Sequence, residues 1–183
     1  VSAARGLTDN WALEVYDILS NPPGAGLQSH KIEVENQFQL VPMGEYWANF
    51  GLVQAVEIPT QGGTAYEFEL MPIIEKQIGR KLVTFNLMFE RSFGTQREHG
   101  TIFNYRVRFQ YRLNRFIAPG LEFYGEPGPL GNFNAVSAQR HEAGPALQGA
   151  VYFNQGRVLY YSAAVLLGLT PVSSDTRFVM RLE

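Results

Sequence analysis

The chain contains no cysteine in its 183 residues. Zinc–thiolate sites, thiol nucleophiles, CxxC redox motifs and disulfides are therefore all excluded. Charge is also scarce: Asp, Glu, Lys and Arg make up 17% of the residues, and the formal net charge is −2. With no basic excess to neutralise phosphates, a nucleic-acid partner is not expected. Long apolar runs are missing too. The longest, "AAVLLGL" at Ala163–Leu169, falls far short of the roughly 18 residues of a transmembrane helix. No signal peptide is visible, and a chain beginning at Val1 is expected to be a processed or trimmed product. Helical spacing of apolar residues at three and four is nearly absent.

What the chain has is period two. "YRVRFQYRL" (Tyr105–Leu113) alternates large apolar or aromatic residues with Arg106, Arg108, Gln110 and Arg112. Comparable segments of about nine to twelve residues recur, separated by Gly, Pro, Asn, Asp and Ser. They are Trp11–Leu19, His30–Leu40, Tyr46–Ile58, Thr64–Lys76, Lys81–Phe93, Thr101–Leu113, Phe116–Gly125, His141–Phe153, Arg157–Leu169 and Thr176–Glu183. Residues 1–7 offer one more. Evenly spaced strands with no helix between them predict an antiparallel all-β fold in a single domain, residues 1–183.

The connections predict which face meets what. Tight turns ("TDN", "PMGE", "QIGR", "NR", "NQG") alternate with longer loops ("SNPPGAGLQS", "PTQGG", "GTQREHG", "EPGPLGNFNAVSAQR", "TPVSSD"). In an up-and-down sheet this puts all tight turns at one end, the layout of an outer-membrane barrel. The polar face is unusually small in the later strands, with Ala118, Gly120, Gly144, Ala146, Ala150, Ala164 and Gly168. A crowded interior needs such residues more than a solvent face does. Aromatics collect at strand ends: Trp11, Tyr46, Trp47, Phe116, Tyr152 and Phe153 at the tight-turn end, and Tyr66, Phe93, Phe103, Phe123 and Tyr124 at the loop end. Two such bands match interfacial girdles. The apolar face is thus expected outward, against lipid. Four positions resist the pattern: Asn49 or Gln54 must face outward in Tyr46–Ile58, and Pro72, Pro119 and Pro145 lie inside strands. Pro72 and Pro119 fall near the tight-turn end, whereas Pro145 points to a bulge or a later strand start.

The turn "GLTDNW" followed by an alternating strand resembles the periplasmic turns of bacterial outer-membrane β-barrel proteins. In style the chain is similar to porin-like transport barrels of Gram-negative bacteria. The resemblance implies a transmembrane barrel in the outer membrane, with the lipid bilayer as partner and a periplasmic or outer-membrane protein as a second candidate partner. One departure is the ending "MRLE", where such barrels generally end in an aromatic residue, so the natural C-terminus is expected to lie beyond Glu183. If Trp11–Leu19 is the first strand, it closes antiparallel on Thr176–Glu183 with ten strands. If residues 1–7 are also a strand, parity requires another before Val1, making twelve.

No catalytic constellation stands out, so an enzyme is not expected. His30, His99 and His141 fall on or beside long loops, and a shared metal site with Glu98 or Glu142 is the minor alternative to scattered exposed histidines. Ser29–His30 is the only adjacent Ser–His pair, and neighbouring strand residues face opposite sides. "PGPLGNFN" lacks the Lys and helix of a phosphate loop. No cofactor or metal is expected. The polar face is more telling. Glu14, Glu33, Glu35, Glu67, Glu69 and Glu90 form an acidic wall in the early strands. Arg106, Arg108, Arg112, Arg177 and Arg181 form a basic wall in the later ones. Inside a barrel the two walls would face each other, either as a transverse field across a passage for small polar solutes or as salt bridges plugging the lumen. A channel or transport component is the first expectation. The alternatives are a plugged, partner-binding scaffold and a soluble barrel carrying an apolar ligand with the faces inverted.

Overall fold

The computed structural model describes residues 2–20, 24, 26–60, 65–95, 97, 100–153 and 157–182. Eleven strands follow one another in the chain: β1 (Ser2–Thr8), β2 (Trp11–Ser20), β3 (Gln28–Gln39), β4 (Asn49–Pro59), β5 (Tyr66–Ile78), β6 (Lys81–Phe93), β7 (Ile102–Tyr111), β8 (Ala118–Pro129), β9 (Arg140–Tyr152), β10 (Val158–Gly168) and β11 (Thr176–Leu182). They form one sheet in chain order, and every pairing with a described register is antiparallel. Among the described residues the only helical piece is a 3₁₀ turn at Val136–Ala138. The all-β meander expected from period two is thus the observed architecture.

Ten-stranded closure through Trp11–Leu19 is overturned. Both edges of β2 are occupied, by β1 (Ala3↔Val15, Arg5↔Leu13) and by β3 (Val15↔Val34, Leu13↔Asn36). The two-residue turn after Thr8 folds residues 2–8 back along β2, and its Thr8 hydroxyl donates to Asn10 Oδ1 (2.9 Å). Among the described residues the strand order runs from β1 to β11, with these two as its terminal strands.

The strict alternation of tight and long connections also fails at two points, one of them 112–117, six residues between β7 and β8 where the two-residue turn Asn114–Arg115 is expected. The strand expected to start at Tyr46 begins at Asn49, so 40–48 is a long connection rather than a tight turn. Gly44 adopts φ +84°, a conformation other residues rarely take. Its N–H donates to Asn49 Oδ1 (3.1 Å), and Leu40 N–H donates to Phe50 O (2.9 Å). Tyr46 and Trp47 remain exposed outside the ladder. By contrast, the β5–β6 turn is as tight as expected, with Gly79 at φ +60°. Pro145 marks neither a bulge nor a strand start. The β8–β9 register runs unbroken through Leu121↔Pro145, and on the other side β9 keeps one register with β10 from Ala146↔Ala164 to Leu167↔Ala143. The ladder passes the missing N–H without slipping.

Residue contacts group into two units: unit 1 is Val1–Ile73 with Met88–Phe103, and unit 2 is Ile74–Leu87 with Asn104–Glu183. In unit 1 the buried side chains are Ala48, Val53 and Ala55, while Val15, Leu19, Val56 and Ile58 are exposed. In unit 2 the buried apolar residues are Ala146, Ala150, Ala164 and Leu166, joined by Glu122, Glu142 and Gln148. Leu121, Leu147, Val165, Leu167, Phe178 and Met180 are exposed, the last two at 79% and 71%. In unit 2 polar and small groups fill most enclosed positions, with Leu166 the large apolar exception, and most of the large apolar groups are exposed.

Candidate functional site: a basic cavity and an acidic face

The acidic set lies wholly in unit 1. Strand pairing sets Glu14 opposite Glu35 and Glu33 opposite Glu57. Like charges placed directly across a ladder repel. Two residues offset this. Gln37 Nε2 donates to both Glu14 Oε2 (3.2 Å) and Glu35 Oε1 (2.7 Å). Lys31 Nζ pairs with Glu57 and, at 2.9 Å, with Glu67. Glu57 is a member of this face that the alternation did not assign, because neither phase of the segment containing it was free of polar residues. In the structure Gln54 takes the outward phase opposite Asn36, and Asn36 Oδ1 accepts from Trp11 Nε1 (3.1 Å). The outward amide of Asn36 is therefore hydrogen-bonded. Glu69 lies in β5 and Glu90 in β6 of the same unit.

The basic set lies wholly in unit 2. Arg106, Arg108, Arg112 and Arg181 line one cavity of about 640 Å³, together with Arg115, Gln110, Gln148, Asn86, Ser162 and the tyrosines Tyr152, Tyr160 and Tyr161. Alternation along β7 turns Arg106, Arg108 and Gln110 to one side. Antiparallel pairing brings β8 and β9 beside them, and β11 adds Arg181 opposite Ser162. Arg177, expected in the same wall, does not line the cavity. It binds Glu142 (2.5 Å), and its guanidinium lies 4.8 Å from the Tyr124 ring centroid.

Glu122 is the residue that reasoning by sign of charge passed over. It lies on the polar face of β8 and is 1% exposed. Its Oε1 accepts from Arg106 Nη2 (3.0 Å), Arg108 Nε (3.0 Å) and Gln148 Nε2 (2.9 Å), and its Oε2 from the Tyr124 hydroxyl (2.6 Å). Gln110 donates to Gln148 at the same wall. A buried carboxylate is tolerated when its lone pairs are filled by charged and polar donors in this way. Arg115 packs over Phe116 and Tyr152, 4.6 Å and 5.4 Å from the ring centroids. Among the described residues, Arg112, Arg115 and Arg181 form no ion pair.

Several glycines of unit 2 have no room for a side chain, Gly125 and Gly149 among them. A Cβ on Gly125 would collide with the Tyr105 ring, and one on Gly149 with Phe116 O and the Tyr161 hydroxyl. Tyr161 crosses the vacant position opposite it in the ladder and donates to Phe116 O (2.9 Å).

His30 is exposed in unit 1, and His141 in unit 2 has both ring nitrogens engaged, with Tyr105 Oη (3.1 Å) and Gln139 Oε1 (2.8 Å). His99 and Glu98 lie outside the described residues. Among the described residues no group of three or more metal-binding side chains occurs. The Ser29 hydroxyl donates to Asp17 Oδ1 (2.6 Å) rather than pairing with His30. In comparisons with known proteins, no protein-family model matches this sequence and no curated protein matches it.

Proposed function

We propose that this chain forms a transmembrane β-barrel of the bacterial outer membrane that acts as a channel or transport component for small polar solutes. Its apolar face meets lipid and its charged face meets water. The observation that carries this reading is the inverted burial within unit 2. Glu122, Glu142 and Gln148 are enclosed, the buried apolar residues are mostly alanines, and leucines, valines and phenylalanines are exposed. A soluble domain encloses its large apolar side chains and leaves carboxylates in water. Strands of 10–13 residues from β2 to β10 meet the roughly 9–11 residues of a tilted membrane strand.

Detergent partitioning combined with gel migration before and after heating tests the proposal. The expected result is recovery in the detergent phase and a band that shifts on boiling. Full solubility without detergent, with no heat shift, would sink it. A second reading is a plugged barrel holding a partner protein, favoured by the Glu122 network, which ties three strands together on the polar face. Planar-bilayer recording separates the two: stepwise conductance supports the channel, while insertion without conductance supports the plugged scaffold.

A further inference from the structure

We propose that the cavity of unit 2 binds a small soluble oxyanion carrying two or more negative charges, a diphosphate or a di- or tricarboxylate. This deepens the transport reading by naming the class of solute, and it rests on that reading only in taking the polar face as the one that meets water.

The charge balance is the first support. Five arginines line the cavity, Arg106, Arg108, Arg112, Arg115 and Arg181, and no Asp or Glu lines it. Among the described residues the single carboxylate touching any of them is Glu122, which serves Arg106 and Arg108 together. Five guanidiniums against one carboxylate leave a net charge of about +4, which focuses anions from solution into a concave site.

The second support is unused donor capacity. Arg106 Nε and Arg181 Nη1 are buried and have no hydrogen-bond partner among the described residues. Buried donors left unpaired are costly, and guanidinium is the side chain best suited to fork onto carboxylate or phosphate oxygens. Arg106 and Arg108 stand one alternation apart on β7, roughly 6.6 Å between α-carbons. Both of these guanidiniums converge on Glu122 Oε1, so Arg112, Arg115 and Arg181 are the ones left to hold the anionic groups of a solute. Gln110, Gln148 and Ser162 supply neutral hydrogen bonds around them. A volume of about 640 Å³ falls within the roughly 300–1,000 Å³ of small-molecule sites.

A lipid headgroup presents the same chemistry, but the cavity belongs to the charged face rather than to the apolar one. A free solute is therefore the occupant.

The test is equilibrium titration of the full chain, in detergent or in whichever buffer keeps it folded, with inorganic pyrophosphate. It needs no membrane insertion, so its failure is distinguishable from failure of the barrel reading. Saturable binding is expected, weakening about tenfold in Arg112→Gln and again in Arg112→Gln/Arg115→Gln. Among the described residues Arg112 holds no carboxylate, so Arg112→Gln should melt as the wild type does, while the double variant also loses the Arg115 contacts with Phe116 and Tyr152 and should melt slightly lower. Arg80→Gln, in an exposed turn outside the cavity, should bind unchanged. Absence of saturable binding would overturn the proposal, as would equal affinity in all three variants. Competition by micelles doped with phosphatidylglycerol would assign the arginines to a headgroup and overturn it too.

Discussion

At Glu122 the side chain faces four donors, three of them on one oxygen, and it is nearly free of solvent contact. The carboxylate therefore acts as the counterion of Arg106 and Arg108, and removing its charge leaves two guanidiniums facing each other without compensation. Glu122→Gln is expected to cost about 3 kcal/mol of folding stability, measured by urea unfolding. A double-mutant cycle with Arg108→Gln should return part of that loss, because one guanidinium, Arg106, rather than two is then left without its counter-charge. Lys31 has a weaker version of the same role in unit 1, binding Glu57 and Glu67 while all three remain partly exposed. Lys31→Gln should cost about 1 kcal/mol, shrinking as salt is raised. Alternation alone placed Glu122, Lys31 and the five expected arginines on the polar face. It could not say that Arg177 would turn to Glu142, because partner choice depends on strands distant in sequence.

The strands themselves were legible because a half-enclosed strand repeats every two residues. Ten segments and the candidate one at residues 1–7 correspond to the eleven strands observed. The departures occur where a contact overrides the local pattern. Residues 46–48 have strand-like aromatics, yet Gly44 and Asn49 hold 40–48 as a loop. At Pro145 the sequence predicts an interruption, yet cross-strand pairs on both sides maintain the register. The pairing of Tyr161 with Gly149 is invisible in a single strand, because it arises only when β9 and β10 are in register. It resembles the covering of sheet glycines by aromatic rings that helps to pin strand pairing. Gly149→Val should displace Tyr161 and its bond to Phe116 O, costing about 1–3 kcal/mol. Comparing its chemical-unfolding midpoint with that of Tyr161→Phe separates the lost hydrogen bond from the steric clash.

For the whole molecule the question is whether oil or water covers the apolar face. Leu121 lies on that face and is 48% exposed, making it a direct probe. If lipid covers it, Leu121→Arg should cost about 2–4 kcal/mol when the protein folds into vesicles, with the largest loss at the bilayer midplane. In water the same change would be within about 0.5 kcal/mol of neutral. Urea titration in vesicles reads the difference. The amino-acid sequence by itself determined the all-β class, the strand positions, the separation of an apolar from a charged face, and the sorting of carboxylates to early strands and arginines to later ones. These follow from short-range periodicity and order along the chain. Only the tertiary structure decided that β1 takes the free edge of β2, that 40–48 is a loop, that Glu122 gathers two arginines while Arg112 and Arg115 have no carboxylate, and that five arginines line one cavity. Each of these depends on which strand lies beside which, set by pairing energies between residues far apart in the chain rather than by the pattern within any one segment.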